Sequence, residues 1–256
     1  MSLVLAADYR VPDFGRWWTW LRSDLPRLPE LGAQHVVVYR AIRDPNHVFV
    51  TIGVREREPV DALLRSPQLF TWFDAAGVTE LPPLFAGQVV EKINLPSSPT
   101  PTSATPPTPA TPPTSATSFA PATPLTPATP STPATPAVTS TPGVPPAPGV
   151  DRDSVVVASI VSVGEIEALR ASVHRAVARI TASGVRRFWI YRALDDGAEV
   201  MILQELATER QADEWIRHPD ASARFMNEAG VGAHPPNFIG RLVETLEIPA
   251  APQAVD

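Results

Sequence analysis

"AAGVTELPPLFAGQVVEKI", residues 75–93, returns in altered form as "EAGVGAHPPNFIGRLVETL" at residues 228–246. An Ala-Gly-Val, a Pro-Pro, a Phe, a Gly and a Val-Glu stand in the same order in both stretches. The match runs upstream as well. "YRAIRD" at 39–44 corresponds to "YRALDD" at 191–196, an offset of 152, and Gly32, Arg65 and Pro67 find Gly184, Arg217 and Pro219 at the same offset. Beyond the second helix the offset becomes 153, pairing Gly77 with Gly230, Phe85 with Phe238 and Gly87 with Gly240. One inserted residue explains the change. The chain reads as a tandem duplication.

Each copy has the element order β-α-β-β-α-β. In the first, "LVLAADY" (3–9) is a strand. Phe14, Trp17, Trp18, Leu21 and Leu25 then recur at helical spacing, the apolar stripe of a surface helix. "HVVVYRAI" and "HVFVTIGV" follow as strands joined through the turn-forming Asp44-Pro45-Asn46. A helix begins near Pro59, breaks at Pro67 and stops at Gly77, which suits a left-handed position just past a helix end. "FAGQVVEKINL" (85–95) closes the copy. In the second copy Ile166, Leu169, Val173, Val177 and Ile180 mark the first helix, and Thr208 with Gln211 forms a capping box for the second.

The strands carry a further signal. In "VVVYRAI" (36–42) both alternating faces are largely apolar, and "VFVTIGV" (48–54) is similar. An antiparallel sheet with one wet face alternates cleanly instead. Helices cover one face here, so a second sheet of the same kind is expected over the other.

Between the copies, residues 96–150 hold 18 prolines and 14 threonines among 55 positions, with no charged residue. Such a segment has too little apolar surface to offset its ordering entropy, and its prolines remove amide donors. It is expected to be a disordered linker biased to polyproline II, reaching about 170 Å if fully extended. A proline-rich ligand for a partner's aromatic groove is the alternative. The expected domains are therefore 1–95, the linker 96–150, 151–248 and a tail at 249–256.

Composition narrows the function classes. A net charge of −6 and a pI near 5.4 argue against a general nucleic-acid binder, which needs a basic stripe. Lys92 is the only lysine, and there are no cysteines for disulfides, thiolate metal sites or a thiol nucleophile. The opening "MSLVLAADYRVPDF" does not read as a secretory signal. No apolar run approaches the roughly 20 residues that span a bilayer. A soluble cytoplasmic protein is the expectation.

These features resemble the dimeric α+β barrel superfamily, in which ferredoxin-like βαββαβ units pair their antiparallel sheets. The likeness is greatest to its antibiotic-biosynthesis-monooxygenase-like branch. It covers roughly 1–95 and 151–248 and rests on element order and on the broken second helix, "LLRSPQLFTWF" and "WIRHPDASARF". The resemblance implies an α+β fold with the two copies paired as a pseudo-dimer, and a ligand pocket between sheet and helices. The family spans cofactor-free monooxygenases, haem-degrading enzymes, isomerases and decarboxylases, so it does not choose a reaction. The haem-degrading members use an Asn on the first strand, a Trp before the helix break and an axial His late in the second helix. Here the first strands hold no Asn, Leu63 and Trp215 stand at the Trp position, and the axial position falls near Phe73 and Phe225. Haem degradation is therefore rejected.

Among the shared polar residues, Tyr39/Tyr191, Arg40/Arg192, Asp44/Asp196, Arg65/Arg217 and Glu91/Glu244 are expected to be structural, with Arg40/Arg192 and Glu91/Glu244 pairing across or along sheets. Trp17, Trp18, Trp72 and Phe73 are expected in the core. None of the five histidines is common to both copies. No metal-ligand spacing, phosphate loop or nucleophile elbow appears, so neither metal nor cofactor is expected. The copies diverge where Thr51-Ile52-Gly53 becomes Leu203-Gln204-Glu205. A carboxylate on an apolar strand is costly unless partnered, exposed or functional. The expectation is a small hydrophobic or aromatic ligand bound in the second copy by Trp189, Tyr191, Trp215, Phe225 and Asn227. Any catalysis would be a monooxygenation, cyclisation or isomerisation, with Glu205 or His218 moving the proton and Tyr191 or Asn227 stabilising negative charge. The competing expectation is a non-catalytic duplicated scaffold. The tether's effective concentration favours pairing within one chain over a homodimer.

Overall fold

The computed structural model describes residues 3–78, 81–95, 154–217 and 237–249. The first half contains β1 (Leu3–Arg10), α1 (Phe14–Asp24), a 3₁₀ segment (Leu25–Leu31), β2 (Ala33–Ala41), β3 (His47–Val54), α2 (Arg57–Leu64), α3 (Pro67–Ala75) and β4 (Leu84–Asn94). The second contains β5 (Val155–Ser162), α4 (Ile166–Ala182), β6 (Val185–Ala193), β7 (Glu199–Leu206), α5 (Glu209–Arg217) and β8 (Asn237–Glu247).

Local chemistry accounts for the boundaries. Asp13 caps α1 by accepting from the amide of Arg16. The second helix of the first half breaks at Pro67, where Ser66 restarts it by accepting from the Gln68 amide at 3.1 Å. Gly77, at φ 74°, ends α3 in the left-handed region expected of it. Both β-hairpins turn on the same device: Asp44 accepts from the Asn46 amide at 3.0 Å, and Asp196 from the Ala198 amide at 2.8 Å. Thr208 accepts from the Gln211 amide at 3.3 Å, and its hydroxyl donates to the Gln211 side chain at 3.2 Å. The helix break expected near Pro219 lies outside the described residues.

The eight strands form one closed barrel in the order β1-β3-β2-β8-β5-β7-β6-β4. Each half supplies four neighbouring strands, and the seams are the antiparallel pairs β2–β8 and β4–β6. The apolar second face expected to need a partner sheet therefore faces a lumen. Closure also removes every sheet edge. Val4, Ala6, Val37, Tyr39, Phe49 and Phe85 meet Val156, Ala158, Trp189, Met201, Leu203 and Phe238 inside the barrel.

Two outer cores lie between the barrel and the helices of each half. They are exchanged at the last strands. Val90, Ile93 and Leu95 of the first half pack into the helix layer of the second, and Val243, Leu246 and Ile248 pack into that of the first.

The repeated Phe-x-Gly of the opening stretch is a seam device. A Cβ on Gly87 would sit 2.7 Å from the Arg192 carbonyl oxygen, and one on Gly240 would sit 2.8 Å from that of Arg40. The rings of Phe85 and Phe238 occupy the space above their glycines. Only a hydrogen fits at either crossing. Among the described residues, no helix is long and apolar enough to cross a membrane.

Candidate functional site

A cavity of about 490 Å³ lies in the first half, between the outer face of the sheet and the helices. Leu5, Ala7, Tyr9, Val50 and Ile52 line its sheet side, and Trp20, Leu28, Leu63, Leu69 and Trp72 are among the residues on its helical side. Its size falls within the range of small-molecule pockets.

Prolines shape it. Residues 14–30 correspond to 166–182, which form the uninterrupted helix α4. In the first half Pro26 and Pro29 divert the chain into the 3₁₀ segment after α1. Gly32, at φ 67°, then turns it into β2, its amide donating to the carbonyls of Leu28 and Pro29. A 3₁₀ segment is thinner and longer per residue than an α-helix. This one places Arg27, Leu28, Glu30 and Leu31 on the cavity wall.

Tyr9 is the polar group of the sheet side. It is 5% exposed and packs edge-on to Phe73, with ring centroids 5.6 Å apart. Burial drives its pKa far above the ordinary phenol value, with the Trp17 indole N–H opposing slightly. The phenol is therefore a neutral donor at any physiological pH. The Trp17 indole N–H is directed at Tyr9 without completing a well-formed hydrogen bond, and the proton of the Tyr9 hydroxyl has no acceptor. Leaving such a buried group unmade costs about 1–3 kcal/mol.

Across the cavity, Trp72 Nε1 donates to Asp24 Oδ2 at 2.7 Å, tying α3 to the end of α1. Arg27 stands 3.3 Å from the other oxygen of Asp24. Trp20 packs against Trp72 at 5.0 Å. The expectation that Trp17, Trp18, Trp72 and Phe73 are core divides here. Trp17 and Phe73 are buried and Trp18 is half-buried against the same core. Trp72 is a cavity wall with a fixed indole orientation.

The described members of the set expected to form a pocket in the second half divide between two places. Strand alternation turns Trp189 and Tyr191 of β6 and Leu203 and Glu205 of β7 into the barrel, whereas Trp215 of α5 packs in the outer core. His218, Phe225 and Asn227 lie outside the described residues, so the remainder of that set is without described geometry. Glu205 is 1% exposed, so of the three possibilities for a carboxylate on this strand exposure does not apply. Its partner is Arg187, 3.5 Å away on the adjacent strand. Burial raises the pKa of Tyr39 and Tyr191, and Tyr39 is raised further by Tyr191 and Glu205.

Tyr9, Asp24 and the 3₁₀ segment were not singled out from sequence. The available signal was "LPRLPEL" (25–31), whose prolines have no equivalents in the second copy. Two further pairings differ from expectation. Arg40 donates to the Pro45 carbonyl at 2.6 Å and covers the ring of Phe14. Glu91 and Glu244 pair with first helices of the opposite half, through Arg170 and Arg22. The His174 side chain is 55% exposed and lies 3.4 Å from Glu91.

Neither a protein-family model nor a curated protein sequence matches the chain. Solved structures do match it in shape. An anthrone oxidase-like protein aligns over 99% of this chain and 97% of its own, with a TM-score of 0.57 and 12% identity. A provisionally named monooxygenase from Lactobacillus acidophilus aligns over 96% of each chain, at a TM-score of 0.49 and 10% identity. The first likeness shows a shared fold: the chain has the fold of a dimeric α+β barrel, with two ferredoxin-like halves within one polypeptide.

Proposed function

We propose that this protein binds a small, uncharged, largely aromatic molecule in the cavity of its first half, with an oxygen of the ligand accepting from Tyr9. The observation that carries this reading is that Tyr9, a residue of the wall of an otherwise mostly apolar cavity, has a buried hydroxyl whose proton meets no acceptor. Buried polar groups are ordinarily satisfied, and a bound carbonyl or ether oxygen would satisfy this one. Aromatic walls from Trp20, Trp72 and Phe73 favour a flat ligand. Arg27 is already paired with Asp24, and Glu30 adds a further carboxylate, so a ligand acid would meet no unpaired cation on this wall.

Trp20 and Trp72 give the test a direct readout. Titration with anthrone and with 1,4-naphthoquinone is expected to quench tryptophan fluorescence saturably and to raise the Tm. Absence of both effects with these and related tricyclic ketones would overturn the reading and favour the scaffold alternative.

A catalytic form of the same reading has one specific support. Asp24 places a carboxylate on the cavity wall, where it can take a proton from a bound ligand. The fold neighbour described as anthrone oxidase-like makes anthrone the first substrate to try. In that reaction anthrone and O2 give anthraquinone and water. Anthraquinone formation in air above the uncatalysed rate, lost in Asp24→Ala, is the expected result. A rate equal to buffer alone would leave binding without catalysis.

A further inference from the structure

Equivalent positions of the barrel lumen carry side chains of unlike size. In the first half Val37 lies opposite Thr51, and His35 opposite Gly53. In the second half Trp189 lies opposite Leu203, and Arg187 opposite Glu205. One wall thus has Val and Thr where its counterpart has Trp and Leu, while the space over Gly53 is filled by the His35 ring. All four wall residues are buried. Val37, Trp189 and Leu203 belong to a single packed cluster that spans both halves. An eight-stranded barrel is just wide enough for its own side chains to fill. Volume added to one wall must therefore be missing from the other.

We infer that this size difference determines which half closes against which: the small wall of a first half is the specific receptor for the Trp189 wall of a second half. Two second halves would bring two Trp189, two Leu203 and two Glu205–Arg187 pairs into one lumen, which is overpacked. Two first halves would face Val37 and Thr51 with their like and leave voids. Glu205 pairs with Arg187, and His47 with Asp8, each within its own half. The crossing pairs Arg22–Glu244 and Arg170–Glu91 are equivalent in kind and would serve like halves equally. Arg43–Asp213 also crosses, at 2.8 Å, and its counterparts are Asp195 and Asp61, so charge at the rim adds to the selection. Within the lumen, size is the property that selects.

Reciprocal exchange in the full chain tests this. Val37→Trp with Thr51→Leu enlarges the small wall, and Trp189→Val with Leu203→Thr shrinks the large one. Each pair alone is expected to lower the Tm, whereas the quadruple exchange recovers at least about half of the summed loss, because distant substitutions that share a cavity couple. Additive losses would overturn the inference. If the first pair fails to fold, Val37→Leu and Trp189→Phe make the same comparison with smaller volume changes. A second measurement reads pairing itself. A protease site placed between residues 110 and 140 is cut in the folded chain, and the products are weighed by native mass spectrometry. Unlike pairs should exceed like pairs by at least about tenfold. Lone halves, or like pairs in comparable amount, would overturn it.

Discussion

Arg170, on the first helix of the second half, donates its Nε–H to Glu91 on the last strand of the first half at 2.9 Å. The mirror relationship joins Arg22 to Glu244. Each first helix is therefore clasped by the other half's last strand, the same strand whose apolar residues enter the opposite outer core. Polar and apolar links run together across the seams, so closing the barrel also fixes where the helices sit.

The clasp sets an acid limit. Burial alone would raise the Glu91 carboxyl, but hydrogen bonds from Arg170 and His174 outweigh it and hold the pKa below the ordinary glutamate value. A depressed carboxylate contributes stability that is present above its unfolded pKa and is lost as pH falls through the folded one. Glu91→Gln should therefore lower the Tm at pH 7 by about 2–4 °C, the effect of roughly 1 kcal/mol in a protein of this size. It should also flatten the decline below pH 4.5, as thermal melts across pH 3–7 would show.

His35 acts in the same direction but at higher pH. Its ring fills the space over Gly53, where an added Cβ would come within 2.2 Å of it. Burial lowers its pKa below 6.5, and Glu247 only partly compensates. The unfolded chain therefore takes up this proton first, and stability falls as pH drops through 6.5. His35→Gln should remove that part of the slope between pH 7.5 and 5.5. Hydrogen exchange or melts at fixed ionic strength would register it.

The seam glycines predict a packing cost. Gly87→Ala and Gly240→Ala each place a methyl group against a carbonyl of the neighbouring half and against a phenyl ring. Each should destabilise by about 1–3 kcal/mol, measured by urea unfolding. An equal substitution at Gly164, where a Cβ meets nothing within 4 Å, should be tolerated far better.

Much of the architecture was legible in the residues. The offset repeat announced two halves, and the doubly apolar strands at 36–42 and 48–54 announced a covered second face. Phe85-x-Gly87 and Phe238-x-Gly240 were visible as repeated, though their reason is a tertiary approach that no local pattern encodes. The cavity was less legible. Tyr9 alternates like any outer-face strand residue, and Trp72 sits at helical spacing like any core aromatic. What distinguishes them is a missing acceptor for one and an Asp24 acceptor, 48 positions away, for the other. Trp189, Tyr191 and Trp215 resembled one pocket by composition, but the period-two alternation of β6 sends the first two to the lumen while α5 holds the third outside.

Tyr9→Phe tests the central claim most directly, by comparing the Tm of the two proteins with and without saturating anthrone. Removing a hydroxyl whose proton has no acceptor should leave the ligand-free Tm unchanged or higher, while anthrone affinity falls by about two- to tenfold. A clear loss of ligand-free stability, with anthrone binding as in the wild type, would mean that the hydroxyl serves the fold and not a ligand.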